Sequence, residues 1–349
     1  MRIAIATVQT PFLEGGAELH AQGLKAALHR AGHTAEIVTA PFRFAPCREV
    51  RRSMDLWATE RFDRLNGYEP DRVICLRFPA YGLSHPNKVV WLLHQHRAVY
   101  ELWDQTLDAA AAEEHEELRE LGREIRRFDT AHLSEARAIF TNSATVSSRL
   151  DFYNGLDSTP LYHPPPLAAD LYTGDPLPFV FCPSRLESLK RQDLLIQAMA
   201  HVRSPQATVL IAGTGGQKAR YEALIRDYGV EDKVRLMGRI SRSELLAAYA
   251  QCLGVFFGPF DEDYGYVTLE AMAAAKPVIT CTDSGGPLEF VQDGATGFVA
   301  APNPEAVAAC IDRLFEDHSR AVQLGRQGRE RYQALGISWE AVVHHLLGP

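Results

Sequence analysis

The chain has 349 residues, more than one hydrophobic core usually organises, so two α/β domains are expected. Its composition, 46% hydrophobic and 23% charged, is that of a folded globular protein and excludes a largely disordered chain. A formal net charge of -8 disfavours a general nucleic-acid binder, because that affinity depends on clustered cations.

The first half of the chain alternates short apolar runs with amphipathic helical patterns. It opens with a predicted strand, Ile3–Val8, and with a helix that follows it and ends at Gly32. The other strands predicted in this half are Ala35–Thr39, Arg72–Leu76, Val89–Leu93 and Ala138–Thr141. Strands that alternate with helices predict a parallel sheet covered by helices, so this half indicates an α/β domain.

The stretch Glu113–Arg127 is unusually charged, with acidic residues first and arginines later, an order that suits a helix macrodipole. We interpret it as the solvated face of a helix. The alternative is a basic edge that contacts anionic lipid or an acidic acceptor, which would bring the protein to the inner face of a membrane.

The sequence predicts a cytoplasmic protein. Its opening residues, Met1–Ala6, indicate a strand rather than a signal sequence, and no apolar run approaches the roughly 20 residues that span a bilayer. The six cysteines are scattered without a CxxC pair, as expected for buried thiols in a reducing compartment.

A domain boundary is predicted at Pro164–Pro166 and the turn-rich stretch after it, which interrupt the periodicity. We place the first domain at residues 1–170 and the second at 171–335. A capping box formed by Ser241 and Glu244 predicts the start of one helix in the second domain. The strands predicted in the second domain are Phe179–Cys182, Val209–Ala212, Val234–Met237, Val255–Phe257 and Val278–Thr280.

The most informative segment is Gly258–Met272, which joins a predicted strand to a predicted helix through a glycine-bearing loop. In open α/β sheets ligands bind at the carboxyl ends of strands, and a helix N-terminus offers N–H groups to an anion such as phosphate. Two acids, Glu262 in the loop and Glu270 in the helix, have seven residues between them. Their carboxylates can accept hydrogen bonds from the vicinal hydroxyls that ribose and hexoses offer.

This segment resembles the Glu-(seven residues)-Glu signature of family 4 of the retaining glycosyltransferases. The resemblance implies the GT-B fold, in which two Rossmann-like α/β domains face each other across a cleft. In that family the first Glu contacts the transferred sugar and the second the ribose, so these roles fall on Glu262 and Glu270. The other donor-binding residues that the resemblance implies here are Asp263, Tyr264, Gly265, Tyr266, Val267 and Thr268.

A pair of cations, Arg185 and Lys190, follows the strand Phe179–Cys182 and so lies at the same sheet edge as the acids. Arg offers a planar fork to phosphate oxygens and Lys a compact charge, and together they can stabilise a departing nucleotide. The pair resembles the family's Arg-x-x-x-x-Lys pattern, which implies catalytic roles for both.

Further glycine-rich stretches of the second half fit the resemblance. Gly213 and Gly215 follow a strand and would let the backbone approach a nucleotide closely, so we predict them to bind the donor. Gly285–Glu289 is similar to the family's Gly-Gly-x-x-Glu, and Asp293–Gly297 to its Asp-Gly-x-x-Gly. In Ala275–Pro277 an alanine stands where the family usually has glycine.

In the first half the resemblance implies two contacts. Glu14–Glu18 forms a glycine loop ahead of the first helix, where Gly15 and Gly16 are expected to approach the donor phosphate and the acceptor. His94 follows the strand Val89–Leu93, where the family often places a histidine that hydrogen-bonds the donor sugar, so it is a catalytic candidate. His96 with His94 would suit a metal pair, but no third ligand stands in pattern, and no metal or cofactor is predicted.

Two other kinds of enzyme have sequence patterns that also occur in this chain. Asp261–Asp263 also has the D-x-D pattern of a metal-binding glycosyltransferase fold, which expects one main sheet and leaves Arg185 and Glu270 without a role. Gly213-x-Gly215 invites a dinucleotide-binding interpretation, but Lys218 occupies the third glycine position.

The resemblance implies a retaining, metal-independent hexosyltransferase with a UDP- or GDP-linked donor and a glycan, lipid-linked or small-molecule hydroxyl acceptor, as in polysaccharide biosynthesis. The segment 336–349 is expected to form a C-terminal helix, near Trp339–Leu347, that crosses back to the first domain. The alternatives on the same fold are a nucleotide-sugar epimerase and a non-catalytic protein that binds a nucleotide sugar.

Overall fold

The computed structural model describes residues 1–12 and 15–348, which form two compact units. Unit 1 comprises Met1–His163 and the chain from Ser338 onwards, and unit 2 comprises Pro164–Ile337. Each unit contains one six-stranded parallel sheet with flanking helices. The predicted α/β class with two sheets is confirmed, whereas the D-x-D alternative expected one main sheet.

The sheet of unit 1 has the strand order β2-β1-β3-β4-β5-β6, and all neighbouring strands are parallel. The strands are β1 (Arg2–Gln9), β2 (Thr34–Pro41), β3 (Arg72–Cys75), β4 (Lys88–Leu92), β5 (Ala138–Thr141) and β6 (Thr159–Pro160). The helices are α1 (Gly16–Arg30), α2 (Cys47–Thr59), α3 (Trp103–Ala109), α4 (His115–Ser134) and α5 (Ala144–Asn154).

The sheet of unit 2 has the strand order β12-β11-β10-β7-β8-β9, again with all neighbours parallel. The strands are β7 (Phe179–Pro183), β8 (Thr208–Ala212), β9 (Val234–Gly238), β10 (Gly254–Phe256), β11 (Val278–Cys281) and β12 (Gly297–Ala300). The helices are α6 (Gln192–Met199), α7 (Lys218–Asp227), α8 (Arg242–Gln251), α9 (Tyr266–Ala273), α10 (Pro287–Phe290), α11 (Pro304–Glu316) and α12 (His318–Ala334).

The last helix, α13 (Trp339–Leu347), packs on α1 of unit 1. Gly23 makes room for it, because a Cβ there would lie 2.4 Å from the Trp339 ring. Arg72, at the start of β3, donates hydrogen bonds to the carbonyl oxygens of Leu346 (2.7 Å) and Gly348 (3.1 Å). These bonds satisfy acceptors that the helix C-terminus leaves open.

The alternation of side chains along β1 explains how unit 1 builds apolar clusters on both faces of its sheet. Ala4, Ala6 and Val8 contribute to the cluster on one face, and Ile3 and Ile5 to the cluster on the other. The core of unit 2 similarly packs helices α6 and α11 against its sheet.

Each predicted strand is present, but β6 and β12 were not predicted. The charged stretch Glu113–Arg127 lies mainly in α4, where Arg123 pairs with Glu116 at 3.4 Å and both side chains are exposed. Over the ranges 1–12 and 15–348, no helix combines the length and the apolarity needed to cross a membrane.

We expect Ala275→Gly to raise the free energy of unfolding of unit 2 by about 1 kcal/mol. Ala275 follows α9 with φ 56°, a left-handed conformation that disfavours any residue with a Cβ. Chemical unfolding followed by circular dichroism measures the change. Ala274→Gly is the control, because Ala274 has φ -80° and its replacement should lower stability. Equal effects of the two substitutions would contradict the strain at Ala275.

Candidate active site

Strand order places two loops side by side at the carboxyl edge of the unit 2 sheet. From β7 the chain proceeds outward to β8 and β9, and it returns to the other side of β7 with β10. This reversal is a topological switch point, where open α/β sheets bind ligands. The loop after β7 carries Arg185 and Lys190, and the loop after β10 carries Glu262.

Lys190 and Glu262 form an ion pair between these loops. The Lys190 Nζ donates to the Glu262 Oε2 at 2.5 Å, and the two side chains are 17% and 18% exposed. The ammonium also lies 5.6 Å from the centre of the Phe257 ring. The structure therefore brings together a predicted cation and a predicted acid, and leaves both partly accessible to a ligand.

Arg191, the residue after Lys190, fixes the two loops to each other. Its guanidinium binds both carboxylate oxygens of Asp283, at 2.6 and 2.9 Å, and donates to the carbonyl oxygens of Gly258 and Pro259, both at 2.8 Å. Arg191 adopts φ 51°, in the left-handed region. Neither Arg191 nor Asp283 is among the predicted site residues, although each stands next to a predicted motif.

Gly213 and Gly215 support the loop that bears Arg185. A Cβ on Gly213 would lie 2.0 Å from the Ser184 carbonyl oxygen, and a Cβ on Gly215 would lie 2.3 Å from that of Leu186. Only glycine permits this backbone contact. The sequence predicts that these glycines approach a nucleotide, and in the structure both closely approach the loop after β7. The Arg185 side chain is exposed and makes no hydrogen bond with another described residue.

Gly285 and Gly286 support the Glu262 loop in the same way. Added Cβ atoms would lie 2.5 Å from the Glu262 carbonyl oxygen and 2.7 Å from that of Asp263. The Glu262 N–H donates to the Ser284 carbonyl at 2.9 Å, and the Gly286 N–H donates to the Glu262 carbonyl at 2.8 Å. These contacts align the loop after β10 with the loop after β11.

Glu270 lies in α9 and is buried, with 8% exposure. The Tyr249 hydroxyl, from α8, donates to the Glu270 Oε2 at 2.6 Å. Burial raises the pKa of Glu270 to about 7, although the hydrogen bond from Tyr249 and the charge of Arg242 lower it. Tyr249 was not predicted, because its contact joins two helices.

The other predicted donor residues lie at the start of α9. Gly265 precedes the helix with φ 82°, and a Cβ there would lie 2.8 Å from the Phe257 ring. Tyr264 and Thr268 are buried, and the Thr268 hydroxyl has no hydrogen-bond partner among the described residues. The rest of the set, Asp263, Tyr266 and Val267, is partly exposed.

We expect Glu270→Gln to stabilise unit 2 more at pH 8 than at pH 5. The folded protein keeps the Glu270 carboxyl protonated up to its pKa of about 7, whereas the unfolded chain loses this proton near the ordinary glutamate pKa of 4.5. The contribution of Glu270 to the free energy of unfolding of the wild type therefore falls as pH rises, by roughly 2 kcal/mol between pH 5 and 8. Urea unfolding of both proteins measures the difference, and a value that is constant with pH would contradict the shift.

The predicted residues of the first half lie in unit 1. The Gly15 N–H donates to the Glu18 Oε2 at 2.9 Å before α1 begins, while Glu14 lies outside the described residues. His94 is half-buried, and its Nδ1 lies 2.6 Å from the Gln95 carbonyl oxygen. His96 is buried against aromatic rings, and this burial lowers its pKa to about 4.

Comparison with known proteins identifies relatives of both the second half and the whole fold. Residues 171–331 match the family model described as glycosyl transferases group 1. The GDP-mannose-dependent alpha-(1-6)-phosphatidylinositol monomannoside mannosyltransferase of Mycobacterium tuberculosis is 34% identical over 211 residues, which are 56% of this chain and 54% of that protein. The D-inositol 3-phosphate glycosyltransferase of Kineococcus radiotolerans is 29% identical over 47% of this chain and 41% of its own length. The alignments thus span about half of these relatives.

Solved structures resemble the chain over nearly its full length. Sucrose-phosphate synthase from Thermosynechococcus elongatus has a TM-score of 0.73 at 20% identity and covers 99% of this chain and 97% of its own. HepE of Anabaena, solved in complex with UDP-glucose, has a TM-score of 0.69 at 17% identity, with coverage of 99% and 98%. The chain therefore has the GT-B fold, and over residues 171–331 its sequence is similar to that of group 1 glycosyl transferases.

Proposed function

We propose that the protein is a glycosyltransferase that moves a hexose-type sugar from a UDP- or GDP-linked donor to a hydroxyl of a glycan, lipid-linked or small-molecule acceptor. The observation that carries this proposal is the accessible Lys190–Glu262 pair at the switch point of unit 2. It joins a cation suited to a diphosphate to an acid suited to sugar hydroxyls.

In this proposal the donor diphosphate binds at the carboxyl edge of the unit 2 sheet. Arg185 and Lys190 stabilise the negative charge that develops on the leaving nucleotide, and the N-terminus of α9 adds its N–H groups. Glu262 exchanges its contact with Lys190 for hydroxyls of the sugar, and Glu270 binds the ribose. Asp263, Tyr264, Gly265 and the first residues of α9 shape the site.

We further propose that transfer retains the anomeric configuration and needs no metal, as in family 4. The bond from the sugar C1 to the donor phosphate oxygen breaks, and the diphosphate leaves with the electron pair. The acceptor oxygen bonds to C1 on the same face, and its proton passes to a phosphate oxygen of the departing diphosphate. This route uses no side chain as a base.

For unit 1 we propose acceptor binding, with Gly15, Gly16 and His94 as substrate contacts. A GDP-linked donor is suggested by the name of the mycobacterial relative, and a UDP-linked donor by the HepE complex. We propose that the reaction belongs to the biosynthesis of a polysaccharide or glycolipid on the cytoplasmic side of the membrane.

A thermal-shift panel tests the donor. UDP, GDP, ADP and dTDP are compared, and the matching nucleotide at 100 times its Kd should add about 2.7 kcal/mol to stability. The same nucleotide should give a smaller shift with Arg185→Gln, whereas Arg226→Gln, an exposed arginine of α7, should leave the shift unchanged. No shift with any nucleotide would contradict a nucleotide-sugar site.

Product analysis tests the reaction. With the donor so identified, NMR of the product's anomeric centre should show a new glycosidic bond with the configuration of the donor. An inverted centre would overturn the retaining mechanism. Release of an epimerised sugar nucleotide without transfer would overturn the proposed activity in favour of an epimerase.

A further inference from the structure

A pocket lies in unit 2 at the sheet edge opposite to the candidate active site. Leu253 and Pro277 line it, and these residues directly precede β10 and β11, so the pocket lies at the amino ends of the strands. Its volume is about 360 Å³, within the size range of small-molecule sites. An adjoining pocket of about 250 Å³ shares Thr173, Ala275 and Arg326 with it. We call the two together the amino-edge pocket.

Lys276 lines the amino-edge pocket and is 4% exposed. Its Nζ donates to the Gly174 carbonyl oxygen at 3.1 Å, the one hydrogen bond that the ammonium makes among the described residues. An ammonium has three N–H donors, so two remain available to a ligand. Burial lowers the pKa of Lys276, whereas an anion beside the ammonium would favour its charged form.

Two arginines of α12 add positive charge to the amino-edge pocket. Arg326 lines both of its parts and makes no hydrogen bond or ion pair within residues 1–12 and 15–348. Arg329 stands one helical turn further and donates to the Thr173 hydroxyl at 3.2 Å. Two carboxylates, Asp175 and Glu330, also line the pocket.

We infer that the amino-edge pocket binds a small phosphorylated polyol. Lys276 and Arg326 hold unused donors that suit phosphate oxygens, and Arg offers its planar fork to two of them. The two carboxylates can accept hydrogen bonds from hydroxyl groups, which are the other half of such a ligand. The Thr173 hydroxyl is already engaged, since it donates to the Ala274 carbonyl oxygen and accepts from Arg329. The chain as a whole has a net charge of -8, whereas this pocket is lined by three cationic side chains.

This site is separate from the proposed donor site. The donor loops follow β7 and β10 at the carboxyl edge of the sheet, whereas the amino-edge pocket lies before β10 and β11. Parallel strands keep these two edges apart by the length of the strands. The inference therefore stands whether or not the protein transfers sugars.

Isothermal titration of the full chain with glucose 6-phosphate and glycerol 3-phosphate tests the inference. We expect saturable binding of at least one of them and no binding of glucose or glycerol. Arg326→Gln should weaken binding at least tenfold, while Arg226→Gln on the surface of α7 should leave it unchanged. Arg185→Gln, which alters the donor loop, should also leave it unchanged. Circular dichroism verifies that each variant is folded.

Three results would overturn the inference. The first is the absence of saturable binding of both phosphates to the wild type. The second is binding that persists in Arg326→Gln but is lost in Arg185→Gln, which would place the phosphate at the donor loops. The third is equal binding of the phosphorylated and unphosphorylated polyols. None of these readouts depends on sugar transfer, so a failure of the proposed function would be seen separately.

Discussion

Replacing Lys190 by alanine should lower sugar transfer roughly 100- to 1,000-fold while unit 2 remains folded, since one charged contact to the developing leaving group is lost. Lys190 lies on a loop at the sheet edge, and its side chain is partly exposed. Steady-state kinetics with the donor found by thermal shift measures kcat and KM, and circular dichroism confirms the fold.

Two companion variants make the Lys190 result specific. Lys218→Ala removes an exposed lysine that pairs with Glu222 at 3.3 Å on α7, and should leave transfer unchanged. Glu262→Gln removes the charge of the partner that Lys190 contacts, and transfer should again fall by orders of magnitude. Wild-type turnover by Lys190→Ala or by Glu262→Gln would refute the assignment of the site.

Gly285→Ala should abolish most transfer and destabilise unit 2, because the new methyl group would lie 2.5 Å from the Glu262 carbonyl oxygen. Gly294→Ala is a close control: the two glycines have φ 68° and 69°, but nothing lies within 4 Å of a Cβ on Gly294. In both variants the left-handed conformation of the alanine lowers the free energy of unfolding by about 1 kcal/mol. Only in Gly285→Ala does the steric overlap of the new methyl group lower it further, by roughly 1–3 kcal/mol.

Urea unfolding and transfer assays of the two glycine variants separate these effects. Gly294→Ala should retain transfer, since its loop does not contact Glu262. If both variants lost stability and activity to the same extent, backbone conformation alone would explain the loss. The proposed role of Gly285 in positioning the Glu262 loop would then be wrong.

Local patterns in the sequence predicted most of the fold. The capping box is present as predicted, with the Ser241 hydroxyl accepting from the Glu244 N–H at 3.2 Å and the Ser241 N–H donating to the Glu244 carboxylate at 2.7 Å. The strands β6 and β12 escaped prediction. β6 has only two residues, both exposed, and β12 has only four residues, most of them buried, so neither gives a clear alternation.

Several contacts in the candidate site join residues that lie far apart in the sequence, and local patterns do not predict them. That Lys190 and Glu262 share one sheet edge follows from parallel strands, but their contact across 72 residues depends on the pairing of β7 with β10. The bond from Arg191 to Asp283 spans 92 residues, and that from Tyr249 to Glu270 joins two helices. Such partners depend on strand order and helix packing, which one sequence does not specify.

The placement of α13 has a consequence for the order in which the protein folds during synthesis. Unit 2 is one continuous segment, whereas unit 1 is completed by residues that are translated after all of unit 2. Since domains fold as they emerge from the ribosome, unit 2 can reach its native state first, while α1 still exposes the groove at Gly23 that Trp339 will fill. A chain that is truncated before Ser338 and released from the ribosome should therefore hold a protease-resistant second unit and a first unit that chaperones still bind.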